Sequence, residues 1–385
     1  MRFQSKLPDV GTTIFTVMSR RALEEGALNI GQGFPDYAID PRLAQSLIDA
    51  VAQGRNQYAP MEGVPELREQ VALKLRRSYA VAIDPHAEIT VTCGATEALF
   101  DAVQAVIGQG DEAIVFDPAY DAYEPAVRLA GGRCIRIPLA PPAFRFDWDR
   151  VRRSMSDRTR LIIVNSPQNP SCSVIERSDL DALAALIRDR PITILSDEVY
   201  ENVLYDGRRH ASVLAHPELR EHSFAVFSFG KTLHATGWRV GYCVAPPALT
   251  QELRKVHQFN TFSIANPLQQ GIARYLEQFP DAWTGLSAFF EAKRDLLAGL
   301  LRGSGFEPLP AAGTYFLLVD YGALSQSNDV EFADRLIREA KIATIPLSPF
   351  YADPPPMTLL RLCVAKREDT LKMAAERLCA FAIRR

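Results

Sequence analysis

The sequence of 385 residues lacks the features that mark several large classes of protein. It has no apolar run of the roughly 18 residues that a membrane-spanning helix requires. Its first residues lack the continuous apolar core of a signal peptide. Basic residues are not in excess, since 43 Lys and Arg stand against 46 Asp and Glu, a net charge of −3. We therefore expect a cytoplasmic protein that binds neither membranes nor nucleic acids.

Cysteine and lysine are both scarce. The six cysteines are scattered without CxxC pairs, which is typical of reduced thiols and predicts neither a disulfide framework nor a metal site. Only eight lysines occur among the 43 basic residues, and none lies between Lys74 and Lys231. Any chemistry that requires a lysine amine therefore has few candidates in this chain.

The middle of the chain alternates short apolar segments with stretches of helical periodicity. This pattern predicts buried strands joined by helices, and so an α/β fold with a mainly parallel sheet in a three-layer αβα arrangement. Ser178 is predicted as the N-cap of one helix, with acids in its first turn. The predicted strands are 88–92, 112–116, 161–164, 192–195, 224–227 and 241–244, and the predicted helices are 96–107, 121–129 and 178–188.

After about residue 280 the pattern changes to long helices with fewer strands. Helices are predicted over 281–301, 330–340 and 369–381, with strands over 313–319 and 359–364. We predict a smaller α+β domain here. The predicted organisation is an N-terminal segment (1–40) that joins the small domain, a large domain (41–280) and a small C-terminal domain (281–385).

Polar clusters follow three successive predicted strands. They are Asn165-Ser-Pro-Gln-Asn169-Pro, Ser196-Asp197-Glu-Val-Tyr200 and Ser228-Phe-Gly-Lys231-Thr. Because functional groups gather at the carboxyl edge of parallel sheets, these clusters are expected to share one site.

Lys231 and Asp197 carry the most specific chemistry of these clusters. The segment around Lys231 is not a phosphate loop, because the first glycine of that motif is replaced by Ala225. A carboxylate at a buried strand end, such as Asp197, needs a cationic partner, and a pyridinium nitrogen would be one. A lysine amine can form a Schiff base with an aldehyde, which is the entry to pyridoxal phosphate chemistry.

Together these motifs resemble the class I and II aminotransferases, the fold-type I pyridoxal-phosphate family. The resemblance includes Gly237-Trp-Arg239-Val-Gly241 and extends over nearly the whole chain. It implies a fold-type I transferase that binds pyridoxal 5'-phosphate and exchanges an amino group between an amino acid and a 2-oxo acid.

The resemblance also implies roles for individual residues. Lys231 would bind the cofactor covalently and then act as the general base. Asp197 would pair with the pyridine nitrogen, while Tyr200 and Asn169 would donate to the ring oxygen. Tyr120 would stack on the ring, and Tyr123 would either have a secondary role or pack in the core.

The phosphate and the substrate need further groups. Backbone N–H groups of Gly94, Ala95 and Thr96 at a helix N-terminus, with Ser228 and Arg239, would hold the phosphate. Arg361 would hold the α-carboxylate of the substrate through a bidentate fork. The remaining residues implied are Asn169, Gly33 and Phe34 at the substrate, and, from a partner chain, Tyr58 at the phosphate and Phe262 at the substrate pocket. The partner residues imply a homodimer with shared active sites.

Within the family the chain resembles the branch that holds bacterial methionine aminotransferases and kynurenine–glutamine aminotransferases. The candidate pocket residues Phe15, Phe34, Tyr58, Tyr120 and Phe262 are aromatic, and no second arginine is evident for a dicarboxylic substrate. We predict methionine as amino donor, with aromatic amino acids, kynurenine or glutamine as further donors. Two alternatives stay open: a cysteine-conjugate or cystathionine β-lyase, and a non-catalytic regulator that binds pyridoxal phosphate.

Overall fold

A computed structural model describes residues 4–383. Its α-helices in chain order are α1 (Ile14–Glu24), α2 (Pro41–Ala52), α3 (Pro65–Tyr79), α4 (Gly94–Val106), α5 (Tyr123–Leu129), α6 (Trp148–Ser154), α7 (Arg177–Ile187), α8 (Pro217–Arg220), α9 (Phe229–Thr232), α10 (Pro247–Asn260), α11 (Asn266–Gln278), α12 (Leu286–Leu301), α13 (Asp329–Ala340) and α14 (Glu368–Ile383). Its strands are β1 (Leu28–Asn29), β2 (Ile89–Cys93), β3 (Glu112–Asp117), β4 (Arg133–Pro138), β5 (Thr159–Asn165), β6 (Thr193–Asp197), β7 (Ser223–Ser228), β8 (Val240–Val244), β9 (Glu307–Pro308), β10 (Phe316–Asp320), β11 (Ile342–Ala343), β12 (Ile345–Pro346) and β13 (Leu359–Cys363).

The largest sheet has seven strands in the order β2-β8-β7-β6-β5-β3-β4. Strands β3 to β7 pair in parallel, and only β8 runs antiparallel to its two neighbours. Apolar side chains are buried on both faces, since Ile114 and Phe116 belong to one hydrophobic cluster while Val115, between them, belongs to the other. A sheet covered on both faces by helices is the predicted three-layer αβα arrangement, which is confirmed.

A second group of elements follows the large sheet. Strands β12-β13-β10-β9 form an antiparallel sheet that packs with α12 and α13, and α14 packs on these two helices. The N-terminal segment reaches this region, because β1 pairs in parallel with β11 and the carbonyl of Ile30 accepts from the N–H of Cys363 at 2.6 Å. The boundaries at residues 40 and 280 stay a prediction.

The predicted cap of α7 and the predicted start of α12 are wrong, and α5 begins at Tyr123 rather than at 121. Ser178 is not an N-cap: α7 begins at Arg177, and Glu176 and Asp179 form a capping box in which the Asp179 side chain accepts from the Glu176 N–H at 2.9 Å. The helix predicted from residue 281 begins instead at Leu286. Turns precede it, since Thr284 donates to the carbonyl of Asp281 through both its N–H and its hydroxyl.

None of the helices formed by residues 4–383 is long and apolar enough to cross a lipid bilayer. The cysteines are all free thiols: Cys172, Cys243 and Cys363 are buried, and the other three are partly exposed.

Gly241 brings β8 into close contact with the start of α4. A Cβ atom at this position would lie 2.7 Å from the backbone of Gly94, Ala95 and Phe227. We expect Gly241→Ala to lower the free energy of unfolding by about 1–3 kcal/mol, because backbone on both sides would have to move. Urea unfolding measures the change.

The matched control is Gly237→Ala, because a Cβ atom there would meet no atom within 4 Å. Equal unfolding midpoints for the two variants would contradict the steric argument.

Candidate active site

The ends of three neighbouring parallel strands open into one cavity. Strand β5 ends at Asn165, β6 at Asp197 and β7 at Ser228, so the three polar clusters predicted from the sequence do meet at one edge. The cavity has a volume of about 110 Å³. It is lined by Ala95, Thr96, Leu99, Tyr120, Asn165, Asn169, Asp197, Val199, Tyr200, Ser228, Lys231 and Arg239.

Asp197 is a buried carboxylate held by neutral donors. The hydroxyl of Tyr123 donates to Oδ2 at 2.7 Å, and the N–H of Val199 donates to Oδ1 at 3.4 Å. Burial raises the pKa of Asp197 to about 6, although the Tyr123 hydrogen bond and the charge of Lys231 oppose the shift. The contact gives Tyr123 a polar partner in the site, in addition to packing in the core.

Lys231 lies on the short helix α9, which begins directly after β7. Its Nζ donates to the hydroxyl of Tyr315 at 2.8 Å, and that hydroxyl donates to the carbonyl of Gly33 at 2.5 Å. Burial lowers the pKa of Lys231 to about 8, with contributions from the charges of Arg239 and Arg361.

Tyr315 is a residue of the site that the sequence reasoning missed. It precedes β10 and is buried among aromatic rings, including Tyr200 at 5.0 Å between ring centroids. A signal was available, because a tyrosine in an apolar segment needs a partner for its hydroxyl. The sequence does not show which partner that is.

An anion site is built where α4 meets Arg239. Helix α4 begins at Gly94 directly after β2, which confirms the predicted helix N-terminus and points free N–H groups of Gly94, Ala95 and Thr96 outward. Gly94 has φ +67°, and a Cβ atom on it would lie 2.6 Å from a guanidinium nitrogen of Arg239. That guanidinium also contacts the hydroxyl of Thr96 at 3.4 Å. Ser228 lines the same cavity.

Arg361 is a buried guanidinium on the central strand β13. It donates to Oδ1 of Asn169 at 2.5 Å and to the carbonyl of Gly31 at 2.9 Å, and it lies 3.8 Å from the ring centroid of Phe316. Its Nε has no hydrogen-bond partner within residues 4–383. Because the two acceptors are neutral, the positive charge stays available to an anion. Asn169 engages Arg361 through its oxygen, so its amide N–H₂ group remains the donor.

The other predicted residues lie outside this cavity in the single chain. Gly33 contacts Tyr315 as described. Lys366 Nζ lies over the ring of Phe34, 4.3 Å from its centroid. Tyr58 is 86% exposed, and its ring packs edge-to-face on Phe262 at 5.6 Å. Tyr58 and Phe262 therefore form an exposed aromatic pair, and their roles stay predictions.

Known proteins resemble this chain over nearly its full length. A methionine aminotransferase of Escherichia coli K12 is 52% identical over 375 residues, 97% of each chain. Kynurenine–oxoglutarate transaminase 1 of Mus musculus is 31% identical, with 94% of each chain covered. A crystal structure from Escherichia coli, of a protein identified as having a methionine aminotransferase function, superposes with a TM-score of 0.97 at 52% identity and covers 99% of this chain and 100% of its own.

The family model for aminotransferase class I and II matches residues 25–378. This range includes the strand ends, the cavity and the buried arginine, so family and geometry agree on which part of the chain carries the site. The chain belongs to the class I and II aminotransferases.

Proposed function

We propose that the protein uses pyridoxal 5'-phosphate to move the amino group of a neutral or apolar amino acid, methionine above others, to a 2-oxo acid. The observation that carries the proposal is one cavity that holds a half-buried amine, a buried carboxylate and an anion site at separate points. These are Lys231, Asp197 and the start of α4 with Arg239.

The donor set of the cavity fits this cofactor. Asp197 suits a protonated ring nitrogen, because a cation would offset the cost of burying the carboxylate. The N–H groups of α4, the Ser228 hydroxyl and Arg239 suit a phosphate. When bound, the cofactor supplies an aldehyde that reacts with amines and a protonated ring that takes up the electrons left at Cα.

Lys231 would be the group that moves the proton. Because burial lowers its pKa to about 8, a minority of the amine, far larger than for an exposed lysine, is neutral near physiological pH and can accept a proton from Cα. The hydroxyl of Tyr315 holds Nζ in place at 2.8 Å. Tyr200 and the amide nitrogen of Asn169 would donate to the ring oxygen, and Tyr120 would stack on the ring.

Arg361 would bind the α-carboxylate of the substrate. Hydrogen bonds to Asn169 and Gly31 fix its guanidinium at one end of the site, and its Nε is free to donate. Aromatic rings surround it, with Phe15 at 4.9 Å and Phe316 at 3.8 Å from the guanidinium carbon to the ring centroids. Such a wall favours an apolar side chain, and the identity to a methionine aminotransferase supports methionine. Aromatic amino acids, kynurenine and glutamine would be further donors.

A homodimer would complete the site. The exposed pair Tyr58 and Phe262 would reach the phosphate and the substrate pocket of the partner, and Gly33 and Phe34 would close over the substrate. Free cysteines suit a reducing compartment, so we propose a cytoplasmic location.

A panel of amino donors tests the proposal. Protein supplied with pyridoxal phosphate is incubated with single amino acids and one 2-oxo acid, and the new oxo acid from each donor is quantified. We expect methionine to give the highest kcat/KM, and Lys231→Ala to abolish turnover. Aspartate as the best donor by far would contradict the substrate assignment.

The same assay separates transamination from β-elimination. A β-lyase would release pyruvate and ammonia from a β-substituted amino acid without an oxo-acid acceptor. Release faster than transamination of methionine would contradict the proposed function.

Arg361→Lys should lower kcat/KM for methionine about 10- to 100-fold, mainly through KM, because the planar fork is lost and charge-assisted hydrogen bonds contribute about 1.5–3 kcal/mol. The control is Arg367→Lys, an exposed position six residues on. An unchanged KM for Arg361→Lys would exclude the α-carboxylate role.

The reactivity of Lys231 should follow a low pKa. In protein freed of cofactor, its acylation by an amine reagent should be half-maximal near pH 8, because the neutral amine reacts and burial disfavours the ammonium. Below about pH 7 the amine is mostly protonated and reaction should be slow. Peptide mass spectrometry measures the modified fraction, and a midpoint near 10.5 would contradict the shift.

A further inference from the structure

A buried cluster of Glu97, Asp101 and His257 lies behind the anion site and outside the cavity. Glu97 and Asp101 occupy successive turns of α4, and His257 comes from α10. All three side chains are buried, and their ligand atoms lie within 4.8 Å of one another. The proposed transfer reaction gives none of them a task.

The hydrogen bonds of His257 fix its charge. Nε2 lies 2.8 Å from the carbonyl oxygen of Met61, which can only accept, so Nε2 must carry a hydrogen. Nδ1 lies 2.8 Å from Oε1 of Glu97 and 3.7 Å from Oδ2 of Asp101. Although burial opposes it, hydrogen bonds from His257 and from the Cys93 N–H lower the pKa of Glu97, so Glu97 is a carboxylate that only accepts, and Nδ1 carries a hydrogen as well. With both nitrogens protonated, the ring is an imidazolium cation.

The surroundings of Asp101 agree with a cation at this place. Its Oδ1 accepts from the amide of Asn260 at 2.8 Å, but its Oδ2 is buried with no hydrogen-bond partner within residues 4–383. Burial raises the pKa of the Cys243 thiol on β8, and the charge of the Asp101 carboxylate adds to the shift. An unpartnered buried carboxylate oxygen is costly unless a positive charge is near, and His257 supplies it.

The pKa of His257 points the same way, although burial raises the pKa of Asp101 above its usual range. Burial of the ring lowers the pKa of His257, but the adjoining carboxylates of Asp101 and Glu97 outweigh this and raise it to about 9. The groups that face the ring are the two carboxylates of α4 and the Met61 carbonyl. All of them favour the protonated ring.

The cluster is joined directly to the anion site. Glu97 follows Thr96 in the first turn of α4, and its Oε2 accepts from the N–H of Cys93, the residue before Gly94. Met61 belongs to the segment that carries the exposed Tyr58. His257 therefore links the first turn of α4 to that segment, and both are proposed to contact the cofactor phosphate.

Two buried carboxylates at this position would act against phosphate binding. The N-terminus of α4 attracts anions through its free N–H groups and its dipole, but Glu97 and Asp101 place two negative charges in its first two turns. The imidazolium cancels one of them and holds Glu97 away from the phosphate, on the Cys93 N–H.

We propose that His257 is a positioning residue whose positive charge offsets the carboxylates of α4 and so sets the affinity of the protein for the phosphate group of its cofactor. The proposal rests on the proposed function, because it requires a phosphate at the start of α4.

The test compares two probes, pyridoxal phosphate and unphosphorylated pyridoxal, titrated into cofactor-free protein and followed by aldehyde absorbance. We expect His257→Gln to raise the Kd for pyridoxal phosphate about tenfold, because the loss of the positive charge weakens the attraction for the phosphate group. The Kd for pyridoxal, which has no phosphate, should stay within about twofold. Glu97→Gln should not weaken pyridoxal phosphate, because it removes a negative charge. The exposed His222→Gln is the matched control.

The double variant separates charge from structure. His257→Gln with Glu97→Gln removes one charge of each sign, so its Kd for pyridoxal phosphate should return to within about threefold of the wild type. A double variant as weak as His257→Gln, or an equal loss of both probes in His257→Gln, would overturn the proposal. Wild-type protein that binds neither probe would overturn the proposed function instead.

A measurement on the unaltered protein decides the charge even if His257→Gln fails to fold. Nitrogen-15 spectra of the histidine rings at pH 7.5 should show both nitrogens of His257 protonated. A neutral tautomer would overturn the proposal. Loss of the Nδ1 proton on adding Zn²⁺ would overturn it too, since the three side chains would then form a metal site.

Discussion

The burial of charged groups in one cavity and beside it, where Arg361 contacts the lining residue Asn169, is the constraint on which the rest of the site depends. Moving an ion out of water costs several kcal/mol, which proteins usually offset with an opposite charge. Here the main partners are neutral: Tyr315 for Lys231, Tyr123 for Asp197, and Asn169 with a carbonyl for Arg361. Neutral partners keep each group in position and leave its charge for a ligand. The sheet makes this possible, because parallel strands end together.

Local order along the chain was enough to predict the residues of the strand ends. Asp197 and Ser228 are the last residues of β6 and β7, and Lys231 lies three residues after Ser228, so their convergence at one edge could be inferred. Contacts between distant segments could not. Tyr315 is 84 residues from Lys231, and His257 is 160 residues from Glu97. The start of α7 was missed because a glutamate competes with serine as a cap, which is decided by tertiary geometry.

The start of α4 shows how packing and chemistry depend on each other. Gly241 allows β8 to approach the backbone of Gly94 and Ala95, and Gly94 leaves room for Arg239. Side chains at either glycine would push the helix end or the guanidinium out of place. Glu97 accepts from the N–H of Cys93, just before the helix, and its other oxygen accepts from His257. One carboxylate thus stabilises both the helix start and the imidazolium. The anion site is thus a property of the sheet, the helix and the cluster behind it.

The chain of hydrogen bonds from Lys231 through Tyr315 to Gly33 has a consequence for proton affinity. Tyr315 has one hydroxyl hydrogen and gives it to the Gly33 carbonyl, so its oxygen can only accept from the lysine. Both the neutral amine and the ammonium can donate, but the ammonium makes the stronger hydrogen bond, so this arrangement favours the protonated lysine. If the backbone at Gly33 moved away, the same hydroxyl would be free to donate to a neutral amine. The N-terminal segment, more than 190 residues before the lysine, therefore helps to set its basicity.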